Sequence, residues 1–155
     1  MKKRDLEIIG WREWVSLPEL GIKAIKAKVD TGARSSSLHA FDMTFYKRAG
    51  NEYVKFDIHP DQKNTGKSIN CHAKILEYRK IKSSNGMSEK RPVILTEIEL
   101  LDQKWEIEVT LSNRDEMGFR MLVGRASIKD KFLVDSGKSF YSKNLSKPKK
   151  AKVKK

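Results

Sequence analysis

The feature that most limits how this chain can fold is a hydrophobic period of two. Trp105, Ile107, Val109 and Leu111 alternate with Glu106, Glu108 and Thr110. Ile94, Thr96, Ile98 and Leu100 alternate with Glu97 and Glu99, and Val54, Phe56 and Ile58 with Lys55 and Asp57. Successive side chains of an extended strand point to opposite faces, so each segment buries one face and wets the other, as half-buried antiparallel strands do. Asp102-Gln103 reads as a two-residue connection, making 93–111 a hairpin, and 48–51 reads as a turn joining 41–46 to 52–58. A third hairpin spans about 75–95, with its tip at Ser83-Ser84-Asn85-Gly86, where Asn-Gly suits the positive φ angles of a tight turn. Its arms carry Arg79, Lys80, Lys82, Glu89, Lys90 and Arg91, too polar for a core. The hairpin therefore projects, either as an ordinary exposed hairpin or as a flap over a cleft. Only 125–131 suggests a helix, before Phe132-Leu133-Val134 returns to strand. The fold class is all-β, a small barrel or sandwich.

The length of 155 residues points to one domain, read here as 1–142. The net charge of +13 raises the question of a polyanionic partner. Residues 143–155, KNLSKPKKAKVKK, hold seven lysines and no acid, leaving about +6 on the remainder. That lysine-rich tail reads as disordered. It serves either solubility or a non-specific contact with ribosome or RNA, and it lacks interleaved aromatics for base stacking. Cys71 is the only cysteine, so no internal disulfide forms and a reducing compartment fits. Lys2, Lys3 and Arg4 precede no long apolar run, and no run is long enough for a membrane span. The expectation is a cytoplasmic protein.

One stretch breaks the strand pattern. In AKVDTGARSS, residues 27–36, a strand runs into Asp30, Thr31, Gly32 and Ala33. An acid, a hydroxyl and two minimal side chains suit either a surface turn or a carboxylate held on a tight loop. Much later, Met121-Leu122-Val123 ends in Gly124-Arg125 and enters the short helix, with the polar hairpin between the two motifs.

That order resembles the retropepsin-like aspartic peptidases, and more narrowly the bacterial family labelled ATP-dependent zinc protease, often associated with a ribosomal-protein glutamate ligase. The matching stretches are GWREWVSLPELGIKAIKAKVDTGARSSSLHAFD, SSNGMSEKRPVI and NRDEMGFRMLVGRASI. The resemblance implies a closed six-stranded acid-protease barrel with one short helix. It also implies a peptidase whose active site lies on the twofold axis of a homodimer, with Asp30, Thr31 and Gly32 from each subunit at the chemistry. Two carboxylates about 3 Å apart share one proton, so one activates water while the other donates to the substrate carbonyl. The resemblance further places Ala33, Asn85 and Gly86 against substrate, with residues 83–89 as the flap tip. Leu122, Val123, Gly124 and Arg125 support the site.

The chain departs from the family pattern at Arg34, where an acid that pairs with the Gly-Arg arginine is usual. Arg34 is then available for an acidic or glutamate-rich protein substrate, and Asp130, Asp115 and Glu116 are the candidate partners of Arg125. The zinc and ATP of the label find little in the residues. There is no His-Glu-x-x-His and no paired-cysteine motif, and neighbours Cys71 and His72 point to opposite faces of a strand. His39 and His59 remain as isolated candidates, His39 reading best as a polar barrel residue. Gly66-Lys67-Ser68 ends like a phosphate loop, but the glycine five residues earlier is Asp61. No metal and no cofactor are expected. Two other readings stay open: a non-catalytic ribosome- or RNA-associated binding protein, and a zinc-dependent peptidase.

Overall fold

The structure, a computed structural model, describes residues 6–60, 68–82, 86–113 and 118–144. Eleven strands and one helical turn follow in order: β1 (Glu7–Gly10), β2 (Arg12–Leu17), β3 (Ile22–Asp30), β4 (Ser36–His39), β5 (Phe41–Arg48), β6 (Asn51–Ile58), β7 (Ile69–Lys82), β8 (Ser88–Leu100), β9 (Gln103–Ser112), β10 (Met121–Gly124), α1 (Arg125–Ile128) and β11 (Phe132–Asp135). The fold is mostly β, as the alternation requires.

The main sheet runs β2-β3-β10-β4-β9-β8-β7-β6-β5, and β2 meets β8 again at Ser16↔Glu99. Six neighbours thus return on themselves as a ring, and β7, β6 and β5 extend from it. Leu17, Ile25, Leu38, Ile94, Ile98, Leu111 and Met121 fill the ring, and Phe56 and Ile58 continue the core beneath the extension. Pairing is not uniformly antiparallel. β10 runs parallel to β3, β4 parallel to β9, and β1 parallel to β11 in a separate two-stranded sheet.

One hairpin connection lies one residue from its sequence reading, and a second falls within the 48–51 turn as read. The β8–β9 connection is Leu101-Asp102, not Asp102-Gln103, and both residues take positive φ, 49° and 63°. The β5–β6 turn is Ala49-Gly50, at 52° and 81°. Both carry the positive φ pair that matches the right-handed twist of the flanking strands, although neither has the Asn-Gly signature. The third hairpin pairs from Ile75↔Ile94 to Lys82↔Ser88, the span read from the sequence, and residues 83–85 of its tip lie outside the described residues. β7 changes neighbours along its length. It pairs with β6 up to Lys74↔Tyr53 and with β8 from Ile75↔Ile94, with a bulge between Ile75 and Glu77. The helix expected over 125–131 stops at Ile128, because Lys129 is extended (ψ 132°) and Asp130 is left-handed (φ 65°).

Residues after β11 turn back across β2. The amide of Phe140 donates to Arg12 O, and that of Trp11 to Lys138 O. Glu13, fully buried, accepts from the amides of Gly10 (2.6 Å), Tyr141 (3.0 Å) and Ser142 (2.8 Å) and from the Ser142 hydroxyl (2.6 Å). Four donors satisfy this buried carboxylate, so it fastens the C-terminal segment instead of destabilising the core. Among the described residues, no helix is long and apolar enough to cross a membrane. The 145–155 part of the lysine-rich tail lies outside the described residues.

Candidate active site

Asp30 ends β3, and β10 lies beside it in parallel register: Leu122↔Lys28, Val123↔Val29, Gly124↔Asp30. This pairing joins the two motifs that the sequence separates by about ninety residues. Leu122, Val123 and Gly124 are all buried under the loop. Gly124 has no alternative: a Cβ there would sit 2.5 Å from Ser35 O and 2.7 Å from Arg34 O. The loop backbone and β10 touch.

The loop is tied down almost wholly by backbone groups. The Asp30 carboxylate accepts the Gly32 amide at 2.9 Å, and the Ala33 amide reaches Asp30 O at 3.2 Å. At the start of α1, the amides of Arg125 and Ala126 donate to Ala33 O (2.8 Å) and Arg34 O (3.1 Å). These helical-turn amides have no partner within the helix, so loop carbonyls satisfy them. The Arg125 guanidinium donates to Thr31 O (3.4 Å) and Gly32 O (3.3 Å). Among the described residues its hydrogen-bond partners are these carbonyls; of the acids the sequence offers, Asp115 and Glu116 lie outside the described residues.

Below the loop runs a hydroxyl relay that the sequence reading missed. Ser36 Oγ and Ser127 Oγ are 2.6 Å apart, and Ser36 Oγ accepts the Gly124 amide at 3.0 Å. Trp105 Nε1 donates to Ser127 O at 2.8 Å. The one signal was the Ser35-Ser36-Ser37 run, whose middle member is forced inward by strand alternation.

Thr31, Gly32 and Arg34 are exposed and Ala33 is half-buried. Arg34 borders a cavity of about 580 Å³ walled by Trp105, Glu106, Glu108, Ala126 and Lys129, with Lys131 and the hairpin residue Arg79 on its margin. Arg79 pairs with Glu77 at 3.0 Å and with Glu108, and Lys131 Nζ lies over the Trp105 ring at 5.1 Å. Arg79 ties the projecting hairpin to Glu108 of β9 at the margin of this cavity. Of the two expected flap-tip contacts, Gly86 is exposed at φ 84° with open space around it, and Asn85 lies outside the described residues.

The histidines and the cysteine are spread out. His39 receives Arg120 Nη1 on Nδ1 at 2.9 Å, so its Nε2 carries the proton and donates to Asn113 O at 3.1 Å. It is a buried polar residue, as read from the sequence. Tyr46 Oη meets His72 Nδ1 at 3.1 Å. Burial, with Asp57 nearby, pushes the Cys71 thiol up to about 12. Among the described residues, no three of His, Cys, Asp and Glu cluster to hold a metal ion. The donor set present does not fit the zinc of the family label.

Comparison with known proteins decides the lineage of this arrangement. Residues 8–144 match the family model for the RimB-like group, described as retropepsin-like aspartic endopeptidase RimB. The chain belongs to the RimB-like family. Two relatives bear the name "Probable alpha-L-glutamate ligase": one from Shewanella pealeana, 50% identical over 133 residues, and one from Desulfotalea psychrophila, 48% identical over 129. The matches cover 86% and 83% of this chain but only 29% and 28% of those relatives, so the RimB-like chain spans less than a third of their length. A solved Legionella pneumophila protein of unknown function (DUF785) superposes with a TM-score of 0.74 at 31% identity, covering 88% of this chain and 98% of that one.

Proposed function

We propose that this protein is an aspartic peptidase that acts as a homodimer, with Asp30 from each copy meeting on a twofold axis of a closed six-stranded acid-protease barrel. The observation that carries the reading is the β3–β10 register, which puts Gly124 beside Asp30 and leaves Asp30 and Thr31 on a loop braced from behind. One chain offers a single Asp-Thr-Gly, and an isologous pair supplies the second carboxylate directly. The ionised carboxylate takes a proton from water, whose oxygen adds to the peptide carbonyl carbon while the protonated partner donates to the carbonyl oxygen. Collapse then breaks the C–N bond and delivers a proton to the leaving amine. Thr31 braces the loops across the axis, and Gly32 leaves room for substrate.

For substrate we favour an acidic or glutamate-rich protein chain. Arg34, Lys129 and Lys131 present cations around the cavity, and Arg34 forks a carboxylate well. The glutamate-ligase names of the longer relatives support the same chemistry. The test uses glutamate-rich and neutral peptides, with products read by mass spectrometry across pH, with and without a chelator. Asp30→Asn is expected to lower cleavage by about 10³-fold or more, as loss of a catalytic acid–base group does, while chelator changes nothing. Activity should fall on both sides of an optimum, since the pair works only while it shares one proton. Arg34→Ala should lower kcat/KM about tenfold or more on acidic peptides only. Equal loss on neutral peptides would remove Arg34 from substrate recognition.

A further inference from the structure

The outward face of the β5–β6–β7 extension lies apart from the Asp30 loop and carries chemistry that peptide hydrolysis does not use. Residues directly opposite on neighbouring strands share a face, so Tyr46, Tyr53 and Lys74 stand in one row and Thr44, Lys55 and His72 in the next. Tyr46 and Tyr53 stack with centroids 5.5 Å apart and planes at 15°, and the His72 ring meets Tyr46 edge-on at 6.1 Å. Arg48 lies on the same face, beyond the tyrosine row. Its one carboxylate, Asp57, already accepts from Asn70 at 2.8 Å. The other face of these strands packs Val54, Phe56, Ile58 and Cys71 into the core, so the aromatic side is the free one.

His72 and Lys74 also edge a cavity of about 410 Å³. It opens where β7 changes neighbours. Leu76 (46% exposed) and Leu95 (42% exposed) flank it, Leu95 being the residue it shares with the Arg34 cavity, and Leu20 and Ile75 line it. Two polar groups are set into it. The Thr96 hydroxyl, in a residue only 1% exposed, has no hydrogen-bond partner, although buried hydroxyls almost always have one. The Glu19 carboxylate accepts the Glu97 amide with Oε1. An apolar slot with a few converging polar groups is the usual form of a small-ligand site.

We propose that this face binds single-stranded RNA, with one unstacked base in the Leu76–Leu95 slot and neighbouring nucleotides across the tyrosine row. Paired aromatics on an open sheet face, flanked by cations, give stacking surfaces for bases and counter-charges for phosphates. Arg48, Lys55 and Lys74 face the phosphates. Glu19 repels phosphate, so it belongs at the base edge, where it accepts from an exocyclic amine, and Thr96 completes the edge contact. The slot therefore prefers adenine or cytosine to uracil. An acidic peptide meets the cations equally well but has no use for the tyrosine row or the amine-accepting Glu19.

The experiment measures fluorescence anisotropy of labelled 12-nucleotide oligo(A) and oligo(U) RNA with the full chain, with peptide cleavage and thermal melting as controls. Oligo(A) is expected to bind at least threefold tighter than oligo(U). Tyr53→Ala and Lys74→Glu should each weaken binding about tenfold, with cleavage unchanged. Thr96→Val gives the sharpest reading, since removing an unpartnered buried hydroxyl should raise the melting temperature while weakening oligo(A) binding. Unchanged affinity in all three variants would assign RNA binding to the lysine-rich tail and overturn the proposal. So would a glutamate-rich peptide that competes with RNA equally in wild type and Tyr53→Ala, or adenosine monophosphate binding as tightly as the oligomer. Because cleavage is followed separately, loss of the peptidase reading leaves this one standing, and the reverse.

Discussion

The Asp30 loop is held almost entirely by backbone atoms, whereas the far half of the β7–β8 hairpin, which reaches the same cavity through Arg79, is tied by side-chain pairs, with Arg91 buried and most of the rest at the surface. The loop's carbonyls are fixed by α1 amides and by Arg125, with Gly124 against its back. The hairpin sets like charges directly opposite each other, Arg79↔Arg91 and Lys80↔Lys90, and offsets them with pairs such as Arg91–Glu89 at 3.2 Å and a Lys90 ammonium 4.9 Å over Tyr78. Few buried apolar contacts and exposed hydrogen bonds mark a segment that opens at low cost. On the peptidase reading proposed above, the contrast suits a fixed carboxylate beside a yielding hairpin.

The largest effect should come from breaking the rigid half. Gly124→Ala forces a methyl group against Ser35 O and Arg34 O, and those atoms are themselves tied to α1. Overpacking of this kind costs about 1–3 kcal/mol. We expect a fall of several degrees in the melting temperature of the folded chain and loss of most peptide cleavage. A variant that melts lower yet cleaves normally would show that the loop need not be rigid.

This rigid half was also the part best legible in the sequence. Asp30-Thr31-Gly32-Ala33 and Gly124-Arg125 are local patterns, and their small residues announce close backbone approach. What the sequence could not announce was long-range pairing. Nothing in Glu7–Gly10 says that it will run parallel to Phe132–Asp135, and nothing in the sequence marks Glu13 as a buried carboxylate with four donors. Charge is visible in a sequence and free carbonyls are not, so Thr31 O and Gly32 O could not be read as partners of Arg125. One turn slipped by a residue for a similar reason: Leu101-Asp102 adopts left-handed angles under the demand of the strands it joins.

A smaller effect should sharpen the mobile half. Lys80→Glu replaces a like-charge pair with an attractive one opposite Lys90. Such a change is worth about 0.2–1 kcal/mol. Hydrogen exchange should slow at the hairpin amides from 79 to 91 and remain unchanged around Asp30. Slowing at both places would mean that loop and hairpin open as one unit, and the contrast drawn above would fail.

The last effect lies on β7 before the same hairpin begins and is absent at neutral pH. Cys71 sits on β7 before the strand turns outward, buried, with its thiol donating to Leu20 O at 3.4 Å. Its pKa rises from 9.0 to about 12, through burial first and Asp57 second. The sign follows from which state holds the proton. Below pH 9 both folded and unfolded chains keep the thiol protonated, so the full contribution to stability is present. Between about 9 and 12 the unfolded chain loses that proton while the folded one retains it, and stability falls as pH rises. Tyr78 and Tyr141, also raised, act in the same direction. Cys71→Ala should therefore leave the pH dependence of urea unfolding unchanged up to about pH 9 and make its decline shallower above. The native thiol should resist iodoacetamide at pH 8 and react once unfolded, since the thiolate is the nucleophile. Rapid labelling of the native protein would mean that β7 opens from its root, and the division between a fixed base and a yielding tip would have to move inward along the strand.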